Sequence, residues 1–132
     1  MEKTNILTSF SITGDIVPDE VTNILGLNPT KIVNKGEFRI GKLASWELFV
    51  DYTDTIELDT QLKKLIINTG LINKVNELTS LQETSDVIIR LNVCININTI
   101  NPKEKPVIWI DPKISNFVGA LGVSIDIDTY YD

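Results

Sequence analysis

The stretch Asp86-Val87-Ile88-Ile89-Arg90-Leu91-Asn92-Val93-Cys94-Ile95-Asn96-Ile97-Asn98 decides how the rest of the chain is read. Side chains on an extended strand swap faces at every residue. Leu91, Val93, Ile95 and Ile97 therefore turn toward a core, while Arg90, Asn92, Cys94, Asn96 and Asn98 turn away from it. A strand with this pattern belongs to a sheet that is covered on one face and at least partly open to water on the other.

The same alternation recurs on both sides of this stretch. Over residues 5–13, Ile6, Thr8, Phe10 and Ile12 face one way, and Leu7, Ser9, Ser11 and Thr13 the other. Over residues 45–52, Trp46, Leu48, Val50 and Tyr52 share a face opposite Ser45, Glu47, Phe49 and Asp51. Residues 123–131 form a last strand, with Val123, Ile125 and Ile127 inward and Ser124, Asp126, Asp128 and Tyr130 outward. Val107-Ile108-Trp109-Ile110 reads as a short buried strand after a polar hairpin loop at residues 101–106. Residues 31–42 read as a loop or hairpin turning at Gly36 and Gly41.

Helices fill the intervals. Pro18 suits a first helical turn, where its missing N–H costs nothing, and Asp19 and Glu20 complement the helix dipole. Gly26 is placed for the left-handed position that ends this helix, with Leu27 folding back after it. Leu58, Leu62, Leu65 and Ile66 recur at helical spacing until Asn68-Thr69-Gly70 interrupts. Leu71, Val75, Leu78 and Leu81 resume the stripe as a second short helix or a kinked continuation. Asp111 is a good N-cap for a helix that starts at Pro112, carries Ile114, Phe117, Val118 and Leu121 on one face, and ends at Gly122. Strands interleaved with helices predict a single α+β domain over residues 1–132. The expected architecture is a two-layer sandwich, ferredoxin-like with additions, with helices on one face of a mixed or antiparallel sheet.

Composition narrows the function classes. Apolar residues make up 42% of the 132, enough for a core without disulfides or metals. The net charge of −6 argues against nucleic-acid binding, which needs Lys and Arg to neutralise phosphates. The absence of histidine removes Ser-His-Asp and Cys-His catalysis and the usual zinc sites. Cys94 is the single cysteine, which fits a reducing compartment. No stretch approaches the roughly 20 apolar residues that span a bilayer, and the first residues do not read as a secretory signal. A cytoplasmic location is expected.

Several segments together resemble a bacterial family known only as a domain of unknown function, number 4279. They are Phe10-Ser11-Ile12 into Gly14-Asp15, Pro18-Asp19-Glu20-Val21 through Leu25-Gly26-Leu27-Asn28-Pro29, Lys35-Gly36-Glu37, and Ser45-Trp46. The ending Leu121-Gly122-Val123-Ser124-Ile125-Asp126-Ile127-Asp128-Thr129-Tyr130 completes the likeness. The order and spacing of these pieces carry the resemblance over nearly the whole chain; residues 58–85 match only in helical character. The resemblance implies a compact cytoplasmic protein of a bacterium or phage. It brings no established activity, cofactor or catalytic residue. Genes for small acidic proteins of this kind can sit near toxin loci, which points to an immunity or inhibitor role by association alone.

The candidate site residues lie on the polar sheet face: Asn92, Cys94, Asn96, Asp126, Asp128 and Tyr130. A face rich in Asn and Asp can receive a ligand or a partner chain, or stand as an ordinary solvated surface. Asp126 and Asp128, two apart on a strand, project the same way, and paired carboxylates can hold a hard cation or divide acid and base roles. Their structural reading is a salt bridge to Arg90 or a loop lysine, or hydrogen bonds to a neighbouring turn. Cys94 needs a nearby cation to be reactive, and only Arg90 is evident. Lys31, Lys35, Arg39 and Lys42 make a basic loop that can hold an anion but lacks the glycine-rich strand-to-helix setting of a phosphate loop. Trp46 and Trp109 both read as core. No catalytic or metal-ligating residue and no cofactor is assigned. The leading reading is a non-catalytic interaction module acting on another protein; a small-ligand or sequestering domain comes second, and a carboxylate- or metal-dependent enzyme third. The oligomeric state is left open.

Overall fold

The computed structural model describes residues 3–37, 43–100 and 105–131. Among them are five strands: β1 (Asn5–Gly14), β2 (Lys31–Val33), β3 (Ala44–Asp54), β4 (Val87–Ile97) and β5 (Ile125–Tyr131). Four α-helices accompany them: α1 (Pro18–Leu25), α2 (Leu58–Leu62), α3 (Val75–Thr84) and α4 (Pro112–Leu121). The strands form one mixed sheet in the order β2-β3-β1-β4-β5. β1 runs antiparallel to β3 and β4, β2 is antiparallel to β3, and β5 joins β4 in parallel. The fold is α+β.

The apolar halves of the strands meet the helices. Ile6, Phe10 and Ile12 of β1, Trp46 and Leu48 of β3, and Leu91, Val93 and Ile95 of β4 are buried with Val21, Leu25, Leu58, Leu62, Leu78, Phe117 and Leu121. Each helical layer contact reaches this same face. Thr8 Oγ1 donates to Gln61 O of α2, Trp46 Nε1 donates to Thr22 Oγ1 of α1, and the Phe10 ring lies 6.2 Å from that of Phe117 in α4.

Local signals placed the helix ends well. Gly26 and Gly122 both take a left-handed conformation, φ 65°, which costs glycine little. Asp111 Oδ1 accepts from Lys113 N–H at 2.8 Å, the N-cap bond its position predicts. The stripe beginning at Leu58 is not a plain α-helix. After α2 it widens into a π turn over Lys63–Ile67, where Asn68 N–H reaches back to Lys63 O. A 3₁₀ turn at Leu71–Asn73 then leads to α3.

Four expectations are corrected. Val107-Ile108-Trp109-Ile110 is no buried strand: Val107 makes one isolated bridge to Glu57, and Ile108 and Trp109 are about half exposed. It lacks a strand neighbour on which the run could close a face. The last strand starts at Ile125, because Val123 and Ser124 link it to the Gly122 turn. Asn98 lies past the end of β4 and is buried rather than on the polar face. Tyr52 leaves the face of Trp46, Leu48 and Val50 for a reason found in β3.

That reason is a β-bulge. Thr8 pairs with Val50 but Ile6 pairs with Thr53, so β3 carries one residue more than β1 across this step. An extra residue inverts the alternation beyond it. The buried side chain of Gln61 braces the break, its Nε2 donating to Ile6 O at 2.6 Å and Asp51 O at 3.4 Å. Tyr52 is thereby turned to the face without helices.

Candidate functional site

Register converts the open face into rows of side chains. Asp54, Asn5, Asn96 and Tyr130 form one row, running from β3 through β1 and β4 to β5. Leu7, Cys94 and Asp128 form the next, and Phe49, Ser9, Asn92 and Asp126 the one after. The six residues expected on this face are thus three lateral pairs: Asn92 with Asp126, Cys94 with Asp128, and Asn96 with Tyr130. Asn96 Nδ2 donates to Asn5 Oδ1 at 3.1 Å, which ties two strands together on the open side.

Tyr52 completes this half of the face, delivered there by the bulge. Its phenol stands among Cys94, Tyr130 and Asn96. Partial burial raises its pKa above the ordinary phenol value, and the nearby Cys94 and Tyr130, which gain negative charge on deprotonation, add to the rise. The alternation pattern alone assigned Tyr52 to the core side. Only an extra residue between Val50 and Thr53 moves it, and no glycine or proline there announces the bulge.

Asp126 and Asp128 are exposed, side by side, and in no ion pair among the described residues. The expected bridge from Asp126 to Arg90 is not made; β4 places Arg90 one row away, beside Ser11. Among the described residues no three Asp, Glu or Cys side chains gather to hold a metal ion. Two of the four basic-loop residues are described. Lys35 is bonded to Asp15 and Lys31 lies opposite Glu47 in the β2–β3 ladder, while Arg39 and Lys42 fall outside the described residues.

A second feature was missed from sequence. The segment before α4 is pinned in extended form: Leu58 N–H donates to Val107 O at 3.2 Å, Val107 N–H to Ile56 O, and Asp111 N–H to Asp59 Oδ1 at 3.2 Å. Trp109 is held 53% exposed, with Lys63 Nζ 5.9 Å from its ring centroid. Lys63 Nζ also pairs with Asp59 at 2.7 Å and Asp111 at 3.6 Å. Its hydrogen bond to Asp59 holds the ammonium pKa above the usual amine value. Beside them a groove of about 290 Å³ is lined by Glu57, Asp59, Val107 and Trp109. The ammonium already saturates much of the local negative charge, so this corner serves first to fix the α2–α4 junction. Two aspartates four and 52 positions apart in sequence from their neighbours in space give no readable motif; the exposed tryptophan does so only once the fold is known.

No helix among the described residues is long and apolar enough to cross a membrane. Compared with known families, residues 2–132 match the model described as Domain of unknown function (DUF4279). Neither a curated protein nor a solved structure matches the chain.

Proposed function

The chain belongs to the DUF4279 family, whose description assigns no chemistry, and from that premise we propose that it is a non-catalytic binding protein that docks a basic partner protein on the acidic half of its open sheet face. The observation that carries this reading is the set of rows itself: Asp54 shares the row of Tyr130, Asp128 and Asp126 stand in the next two rows on the same strand as Tyr130, and Tyr52 is beside them. Tyr52 is 45% and Tyr130 53% exposed, so both phenol rings offer rigid contact area with a polar tip. The carboxylates beside them are free to meet Lys or Arg of a partner, and a net charge of −6 steers such a partner inward. The open outer edge of β5 does not favour a second copy instead. Antiparallel self-pairing centred on Asp128 would set two carboxylates opposite each other.

The lack of histidine supports a role without chemistry, and the lone reduced Cys94 supports a cytoplasmic setting. A toxin-neutralising or inhibitor role is one form this docking takes. Affinity capture at low and moderate salt tests the reading, run with the native chain, with Asp126→Asn/Asp128→Asn/Tyr130→Ala, and with Trp109→Ala. A stoichiometric basic partner that is weakened by salt, lost by the triple variant and kept by Trp109→Ala is the expected result. A partner indifferent to the triple variant, or none at all, overturns it.

A further inference from the structure

The other half of the open face differs in chemistry, and it goes beyond the docking surface. Lys31, Glu47, Ser11 and Arg90 form one row across β2, β3, β1 and β4. The row beyond it is Val33, Ser45, Thr13 and Ile88. A cavity of about 310 Å³ opens here, lined by Ser11, Thr13, Leu43, Ile88, Arg90 and Asn92. We propose that this cavity binds an apolar α-amino acid, its carboxylate on Arg90, its ammonium toward Glu47 and its side chain against Leu43 and Ile88.

Three observations lead there. Arg90 and Glu47 are in no ion pair among the described residues, so each has charge to offer. They flank the small Ser11 on its two sides. Strands about 4.8 Å apart set the two Cα atoms about 10 Å apart, a gap that two long side chains and a zwitterion bridged by bonds of about 2.8 Å fill. The polar lining offers groups able to donate to a carboxylate: a guanidinium fork, the Ser11 and Thr13 hydroxyls and the Asn92 amide.

The choice among anions follows from charge. A phosphate carries close to two negative charges and is usually met by several cations or a cluster of backbone N–H groups. Here Arg90 is the one cation among the described lining residues, and Glu47, just outside that lining, lies across from Ser11 in β3. A singly charged carboxylate with its own ammonium satisfies both. Leu43 and the 56% exposed Ile88 make the apolar wall, which favours a hydrocarbon side chain over a polar one.

Titration calorimetry with L-leucine as the probe tests this, with 4-methylpentanoate, which lacks the amine, as comparator. The native chain is expected to bind leucine saturably. Arg90→Gln should weaken leucine by about tenfold or more, the loss of a charge-assisted pair. Glu47→Gln should weaken leucine but leave 4-methylpentanoate unchanged. Neither side chain anchors the core, and unchanged melting of both variants verifies that they fold. Absence of saturable leucine binding, leucine binding indifferent to Arg90→Gln, or 4-methylpentanoate binding as tightly as leucine overturns the proposal. Asp126→Asn/Asp128→Asn, which disables the partner surface, should leave leucine binding intact; its loss there would also overturn the assignment to this cavity.

Discussion

Trp46 and Trp109 sit in two corners of the same molecule with opposite surroundings. Trp46 lies in β3 between Ile12 of β1 and Ile32 of β2, is fully buried, and donates its indole N–H to Thr22 of α1 at 3.0 Å. Trp109 lies in an extended segment with a single bridge to its neighbour and stays half exposed under Lys63. Both follow apolar or alternating runs that look alike on paper. An apolar residue is buried when register gives it strand partners and a helix covers the face they share. Trp46 has both, and Trp109 has neither.

The widest separation between the corners should come from truncation. Trp46→Ala is expected to cost about 3–5 kcal/mol of unfolding free energy, since it empties a packed site and strands the Thr22 hydroxyl. Trp109→Ala should change stability by about 0.5 kcal/mol, the usual range for a surface residue. Denaturant melts of the two variants measure the difference; equal losses would break the comparison.

Gly14 probes how tightly the buried corner is built. It ends β1 opposite Ala44 and Val87, and a Cβ there would stand 2.1 Å from the backbone oxygen of Asp86. Gly14→Ala therefore has to move backbone, at an expected cost of about 1–3 kcal/mol. A melt indistinguishable from the native chain would show that the β1–β4 junction yields easily. Thr22→Val isolates the polar part of the same corner. It removes the acceptor of the Trp46 indole N–H and keeps the shape, so about 1 kcal/mol is expected, with Trp46 fluorescence altered while its burial persists.

The smallest effect belongs to the exposed aromatics. The Tyr52 phenol titrates above the ordinary value near 10 because of partial burial and its neighbours Cys94 and Tyr130. Above that pH the unfolded chain loses this proton first while the folded chain keeps it. The contribution to stability is therefore whole below the ordinary phenol value and declines as pH rises through it toward the raised one. Tyr52→Phe should remove a phenol step that lies above the ordinary value in an ultraviolet absorbance titration and flatten the alkaline loss of stability. A lost step that lies at the ordinary phenol value would place Tyr52 away from Cys94.

Much of the fold was legible. β1, β3 and β4 follow from period-two alternation, and α1 and α4 from a leading proline and a closing glycine, all signals carried by residues within one element. The open face was legible as well: Asn92, Cys94, Asn96, Asp126, Asp128 and Tyr130 do share one side. What escaped depended on distant partners. Gln61, 55 positions from Ile6, steadies the bulge that turns Tyr52 around. Asp59, 52 positions from Asp111, helps hold the segment that leaves Trp109 outside.

Local patterning thus sufficed for the α+β class, the ends of α1 and α4 and the two-sided character of the sheet, because alternation, capping and glycine conformations act over a few residues. Strand order, register and the bulge belong to the folded molecule. They arise from hydrogen bonds and packing between segments remote in the chain, and they alone bring Tyr52 to Cys94, Asp126 to Asn92, and Arg90 and Glu47 to the two sides of Ser11.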